Sequence, residues 1–138
     1  MKTKAFLCAI VMSFALAGCS TLGGMKNASA CPDPVCRVGI YVHADGTIYT
    51  KPDEPYIPVR TGPRQILWEV KEPGYSFVKD GIQFDGQGNG QYSDPNIRDG
   101  DTQATSENAN TVSGRYKYTV RLKKGSQRFE KDPFIVNG

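Results

Sequence analysis

The sequence predicts an all-β protein, a small antiparallel β-sandwich with Greek-key-like connections. Three observations support this fold class. Apolar and polar residues alternate with a period of two, turn signals recur at about ten-residue spacing, and no segment after residue 18 has helical periodicity. The region 31–138 spans about 108 residues, which is enough for one hydrophobic core and too short for two ordinary domains. We therefore expect a single sandwich domain over residues 31–138.

The first nineteen residues have the pattern of an export signal. Lys2 and Lys4 precede an apolar run over residues 5–17, and the motif Leu-Ala-Gly-Cys ends at Cys19. The run is shorter than the roughly 20 residues of a spanning helix, and small residues precede a cleavage point. The segment resembles the type II signal peptide of bacterial lipoproteins. The resemblance implies removal of residues 1–18 and attachment of diacylglycerol and a fatty acyl group to Cys19, with no other cofactor expected.

The resemblance also implies a location. Ser20 follows the cysteine, as in lipoproteins of the outer membrane, so the domain is expected in the cell envelope, most simply on the periplasmic side. Residues 19–30 are small and polar and predict a flexible tether. Without Lys2 and Lys4 the net charge falls to about +1, with no basic cluster larger than two lysines. Nucleic acid is therefore not an expected partner.

Two cysteines follow the predicted tether. Cys31 and Cys36 stand in the segment Cys-Pro-Asp-Pro-Val-Cys, and such pairs in exported chains are typically oxidised. A disulfide between them closes a six-residue ring worth about 2 kcal/mol of stability. Two alternatives stay open: a redox pair, which usually has the tighter Cys-x-x-Cys spacing, and a zinc site completed by His43.

The strands follow from alternation and turn signals. In the first hairpin, Val38, Ile40 and Val42 share one face, and Asp45-Gly46 is typical of a tight turn. In the strongest later pattern, Tyr116, Tyr118, Val120 and Leu122 point inward. The strands are predicted at residues 37–43, 47–50, 65–70, 75–78, 81–84, 115–122 and 133–136.

Two segments lack this alternation. The proline-rich run over residues 51–63 predicts an extended chain whose edge is open to pairing with another chain, or else a plain connection. Residues 99–110 are almost without apolar side chains and predict a mobile surface loop.

The order of several segments between residues 65 and 137 carries a second resemblance. Gln-Ile-Leu-Trp-Glu-Val is followed by Gly-Tyr-Ser-Phe, Gly-Ile-Gln-Phe, Tyr-Lys-Tyr-Thr-Val and Asp-Pro-Phe-Ile-Val. This order is similar to cupredoxin-like β-sandwich domains, with an immunoglobulin-like sandwich as the alternative. A blue-copper site needs two histidines, a thiolate and usually a methionine. Here His43 is alone, no cysteine follows Cys36 and no methionine follows Met25, so a metal-free scaffold is implied.

A glycine-rich segment suggests a calcium loop. Asp-Gly-Gln-Gly-Asn-Gly over residues 85–90 places oxygen donors at alternate positions before a glycine. Asn96 occupies the twelfth position in place of a bidentate glutamate, so a hairpin loop of turn-forming residues is the alternative. The candidate ligands are Asp85, Asn89, Asp94, Asp99 and Asp101.

The chemical inventory favours binding over catalysis. His43 is the single imidazole and no Gly-x-Ser-x-Gly motif is present, so we expect no enzyme. Tyrosines, by contrast, are typical of recognition surfaces. A tyrosine-lined face is predicted from Tyr41, Tyr49, Tyr56, Tyr75 and Tyr92. The sequence therefore predicts a non-catalytic module that binds an envelope protein; the alternatives are a calcium- or glycan-binding domain using residues 85–101, or a hydrolase inhibitor.

Overall fold

The structure is a computed structural model that describes residues 28–138. It contains ten strands and one short 3₁₀ helix, η1, over Asp85–Gly90. The strands are β1 Ala28–Ala30, β2 Val35–Val42, β3 Ile48–Lys51, β4 Glu54–Ile57, β5 Arg64–Val70, β6 Ser76–Phe84, β7 Gln103–Asn108, β8 Gly114–Lys124, β9 Gln127–Lys131 and β10 Phe134–Asn137.

The strands form two sheets that face each other as a small β-sandwich, which confirms the predicted fold class. One sheet has the order β1-β4-β10-β8-β6, with β9 also paired to β8, and the other has the order β3-β2-β5-β7. The expectation of purely antiparallel sheets is wrong, because β1 and β10 both run parallel to β4, and β2 runs parallel to β5. A period of two identifies a strand but carries no information on its direction.

The core lies between the inner faces of the two sheets. The Trp68 side chain is fully buried there, and its ring centroid lies 5.6 Å from that of Tyr118 and 6.0 Å from that of Phe84. The predicted inward residues of β8 are all buried, as are Val38, Ile40 and Val42 of β2. These strands follow the sequence pattern because alternate apolar side chains reach the same face.

The predicted loop over residues 99–110 is wrong in part. Residues Gln103–Asn108 form β7, which pairs antiparallel with β5 along its whole length. Its inward side chains are Ala104, Ser106 and Asn108, all buried. The sequence pattern did not indicate this strand, because small and polar residues occupy its buried positions in place of large apolar ones.

The predicted open edge in the proline-rich segment is also wrong. Strand β4 lies between β1 and β10 and pairs with both, so neither of its edges is free. Its partner β1 is formed by residues 28–30, which were expected in the tether. The predicted signal peptide, Cys19 and the rest of the predicted tether lie outside the described residues.

Strand β6 replaces two predicted strands. It runs through residues 76–84, and its register against β8 shifts between Phe77 and Ile82. Gly81 lies within this irregular stretch, where an added Cβ would stand 2.8 Å from the Phe77 side chain. The missing side chain lets the strand continue past the irregularity, as glycines at bulges do. Strand β9 has no predicted counterpart.

The predicted disulfide is confirmed. Cys31 and Cys36 are bonded and buried, with their Cα atoms 5.2 Å apart. The Cys31 backbone N–H donates a hydrogen bond to the Tyr56 carbonyl at 2.7 Å, and Cys36 lies in β2. The bond therefore ties the end of β1 to the opposite sheet.

A buried polar network crosses one end of the sandwich. The Asn108 and Asn137 side chains, both almost fully buried, exchange two hydrogen bonds of 2.9 and 3.2 Å. The Tyr92 hydroxyl donates a third bond to the Asn137 carbonyl oxygen at 3.1 Å. Burial raises the pKa of Tyr92 well above its usual value. The network joins β7, β10 and the chain after η1, three segments that are distant in sequence.

Candidate functional site

The outer face of the β2–β3 hairpin carries three aromatic side chains in a row. Tyr41 and Tyr49 are cross-strand partners whose ring centroids lie 5.2 Å apart, and the His43 ring stacks on Tyr49 at 4.2 Å. The two tyrosines are half-buried and His43 is exposed. We name Tyr41, His43 and Tyr49 the aromatic strip.

The hairpin turn sets the register of this strip. Gly46 has a φ of 86°, and the Asp45 carboxylate accepts a hydrogen bond from the Thr47 backbone N–H at 2.9 Å. This hydrogen bond lowers the pKa of Asp45. The His43 backbone N–H donates to the Thr47 carbonyl at 2.9 Å and closes the turn. The predicted Asp-Gly hairpin therefore positions the aromatic rings.

Gly39 and Lys51 hold one end of the strip. A Cβ at Gly39 would lie 2.9 Å from the Tyr41 ring, so the ring rests where a side chain is missing. Opposite Gly39, the Lys51 Nζ lies 5.2 Å from the Tyr41 ring centroid and 5.7 Å from that of Tyr49. These are cation–π distances, which favour one arrangement of the rings.

The charges beside the strip are predominantly positive. The Glu69 carboxylate is engaged by the Lys71 Nζ at 2.7 Å and the Gln103 Nε2 at 3.2 Å. The pKa of Glu69 is lowered, chiefly by the hydrogen bond from Lys71. Within residues 28–138, Arg37 and Lys51 form no ion pair. The strip is therefore bordered by two basic side chains without an ion-pair partner, and the Asp45 carboxylate lies at its turn end.

The predicted tyrosine-lined face is smaller than the sequence indicated. Tyr92 is buried, and Tyr75 packs against Phe129 with ring centroids 5.2 Å apart. Tyr56 lies on β4 in the other sheet. His43 belongs to the surface, although the predicted tyrosine-lined face did not include it. The available signal was its position two residues after Tyr41, which puts both on one face of the strand.

Two of the predicted calcium ligands lie beside lysines. The Asp85 carboxylate is 3.1 Å from the Lys117 Nζ, and Asp99 pairs with Lys123. The hydrogen bond that the Lys117 ammonium donates to the Asp85 carboxylate is the main cause of the raised pKa of Lys117. A cation at either carboxylate would have to displace or tolerate an ammonium group.

The remaining candidates are placed separately. Asn89 lies in η1 with a φ of 53°, Asp101 accepts a hydrogen bond from the Arg98 backbone N–H at 2.9 Å, and Asp94 lines a cleft. Among the described residues, no three His, Cys, Asp or Glu side chains form a group that could hold a metal ion. Residues 85–90 form the helix η1 in place of the alternative hairpin loop.

The described part of the chain, residues 28–138, has no helix long and apolar enough to cross a membrane. The sequence matches no protein-family model and no curated protein at a significant level. The geometry of the surface is therefore the basis on which a function is assigned.

Proposed function

We propose that the protein is a non-catalytic lipoprotein of the cell envelope whose sandwich binds another envelope protein through the aromatic strip. The supporting observation is the row of three stacked rings on the solvent side of the β2–β3 hairpin. Aromatic side chains contribute large contact areas and lose little conformational entropy on binding. They are also the side chains that most often dominate the binding energy of an interface.

The position of the strip favours a protein partner. Strand β3 is the edge of its sheet, so its outer side, beside Tyr49 and Lys51, has no strand partner within the described residues. A partner strand can add to this edge while its side chains contact the rings. Lys51 and Arg37 add positive charge, so an acidic partner surface is favoured.

The lipid anchor supplies the location in this proposal. Cys19 and Ala28 are nine residues apart, so an acyl group on Cys19 keeps the start of β1 within about 32 Å of the bilayer. Several acyl chains on one cysteine make the attachment effectively permanent. The partner is therefore expected in the same membrane or close to its surface.

Acylation of Cys19 is tested by the mass of the mature chain. We expect a chain that begins at Cys19 and carries the mass of a diacylglycerol and a fatty acyl group. Cys19→Ala should remain unacylated and leave the membrane fraction. Cys8→Ala is the matched control, because residue 8 is removed with the predicted signal. Recovery of the full-length, unacylated chain from the cytosol would contradict the proposed location.

Partner binding is tested by cross-linking in intact envelopes followed by purification of the protein. We expect one protein to be recovered in near-stoichiometric yield and its recovery to fall about tenfold or more for Tyr49→Ser, a loss of at least about 1.4 kcal/mol. Tyr75→Ser is the control, since Tyr75 is also half-buried but lies away from the strip. Equal recovery with Tyr49→Ser and the unsubstituted protein would refute the assignment of the strip.

A further inference from the structure

A cleft of about 390 Å³ lies between β6 and residues 93–97, a region separate from the aromatic strip. Its floor is formed by Ile82, Phe84 and Tyr92, which are all buried apolar or aromatic side chains. The Phe84 and Tyr92 rings stack with centroids 4.0 Å apart. The floor is thus part of the core and is firmly packed.

One wall of the cleft is fixed to β7. The Ser93 backbone N–H donates to the Glu107 carbonyl at 2.9 Å, and the Ser93 carbonyl accepts from the Ser106 hydroxyl at 2.8 Å. Further along, the Asn96 backbone N–H donates to the Thr105 carbonyl at 2.8 Å. A wall held at both ends keeps the cleft open in one shape, which lowers the entropy cost of binding.

The other wall is the irregular part of β6. Lys79 and Asp80 lie where the register against β8 shifts, and both side chains are exposed at the rim. The shift releases these two residues from regular pairing with β8. Bulges of this kind commonly redirect side chains toward a site.

The rim carries charges of both signs that remain unpaired. Within residues 28–138, Lys79, Asp80 and Asp94 form no ion pair. The basic residues on the outer face of β8 differ, because each is paired with a carboxylate; these are Arg115, Lys117, Arg121 and Lys123. The cleft is therefore a place where a charged ligand meets side chains that are still available.

A second cleft of about 390 Å³ continues from the first. The two share Lys79, Asp80 and Gln83, and the second also contacts Arg128. The three basic side chains of the second cleft, Lys79, Arg121 and Arg128, outnumber its two carboxylates, Asp80 and Asp99, so this end has a net positive charge. Asp94 makes the opposite wall of the first cleft acidic. A groove with an apolar floor, one cationic end and one anionic wall fits a zwitterion with an apolar body.

We propose that this cleft binds a short peptide with free termini. The peptide ammonium pairs with Asp94, the carboxylate pairs with Lys79, and an apolar side chain lies over Ile82 and Ile97. A volume near 390 Å³ lies at the small end of the range of ligand sites, which suits a peptide of two or three residues. The proposal is independent of the aromatic strip and of its protein partner.

The test is a calorimetric titration of the full chain, extracted in a mild detergent, with three peptides. The probes are Leu-Ala, its C-terminal amide and its N-acetyl form, so each capped peptide lacks one charge. We expect a Kd of about 1 mM for Leu-Ala. Lys79→Met should weaken Leu-Ala about 3- to 5-fold and leave the amide unaffected. Asp94→Asn should weaken Leu-Ala by a similar factor and leave the N-acetyl peptide unaffected.

The control variant is Lys131→Met, which removes an exposed lysine outside both clefts and should bind all three peptides as the unsubstituted protein does. Three results would overturn the proposal. The first is no saturable binding of Leu-Ala up to about 20 mM, which excludes a Kd within about tenfold of 1 mM. The others are equal affinity for the free and capped peptides, and equal weakening of all three peptides by a variant. The crossed design separates recognition of each charge from a general loss of structure, because a misfolded variant loses every peptide alike.

Discussion

Trp68→Ala is expected to lower the free energy of unfolding by about 3–5 kcal/mol. Trp68 has no exposed surface and lies on β5, between β2 and β7, with its ring against Phe84 and Tyr118. Removal of this side chain leaves a large cavity that its aromatic neighbours cannot fill without leaving their own positions. Because Trp68 is the single tryptophan, urea unfolding is followed by circular dichroism instead of fluorescence.

Two variants define the origin of this effect. Leu67→Ala removes the neighbouring side chain, which is only half-buried on the outer face, and should cost about 1 kcal/mol or less. In Trp68→Phe the lost Nε1 is buried without a hydrogen-bond partner among the described residues, so a smaller cost of about 1–2 kcal/mol is expected. An unchanged urea midpoint for Trp68→Ala would show that the core does not pack around this ring.

Asn137→Ala is expected to lower the free energy of unfolding by about 2–5 kcal/mol. The substitution leaves the buried Asn108 amide and the Tyr92 hydroxyl without their shared partner. Each buried polar group left unpaired costs about 1–3 kcal/mol. Urea unfolding followed by Trp68 fluorescence measures the change.

Asn96→Ala is the matched control for the asparagine network. The Asn96 side chain is exposed, and its bonds to Thr105 are made by the backbone, so a change within about 0.5 kcal/mol is expected. The double variant Asn108→Ala with Asn137→Ala should lower the free energy of unfolding by clearly less than the sum of the two single effects. Each single variant already breaks the hydrogen bonds between the two amides, so the double variant loses them only once. Strict additivity would contradict a shared network.

The strands that the sequence predicts are those with large apolar side chains on the buried face. Tyr116, Tyr118 and Val120 alternate with polar residues in β8, and Ile66 and Trp68 do so in β5. The hydrophobic effect acts on these side chains directly, so local sequence is sufficient to place them.

The strand that the sequence misses is stabilised by partners far along the chain. Asn108 occupies a core position of β7 only because Asn137, 29 residues later, satisfies its amide. No local pattern indicates such a pair, and Ala104 and Ser106 are too small to identify a buried face. The parallel pairing of β4 with β1 and β10 is similarly non-local, because it depends on which sheet the chain joins after each turn.

The candidate binding surface is predictable in part. The Asp-Gly turn predicts the hairpin that carries Tyr41 and Tyr49, and the structure has the two rings stacked across it. The Tyr41 ring occupies the space that a side chain at Gly39 would fill, and Lys51 lies near the rings. Both features depend on packing, which the alternation of apolar and polar residues does not indicate. Lipidation of Cys19 and the envelope location remain predictions of the sequence.

The short strand β1 determines how a pull on the chain before Ala28, where the proposed lipid anchor would lie, reaches the domain. Force applied upstream of Ala28 first loads three residues of pairing with β4 and then the backbone at Cys31. From there it passes through the sulfur bridge to Cys36 in the interior of the second sheet, bypassing residues 32–35. The segment before Cys31 is thus mechanically attached to both halves of the sandwich, and tension cannot unravel the chain between the two cysteines one residue at a time.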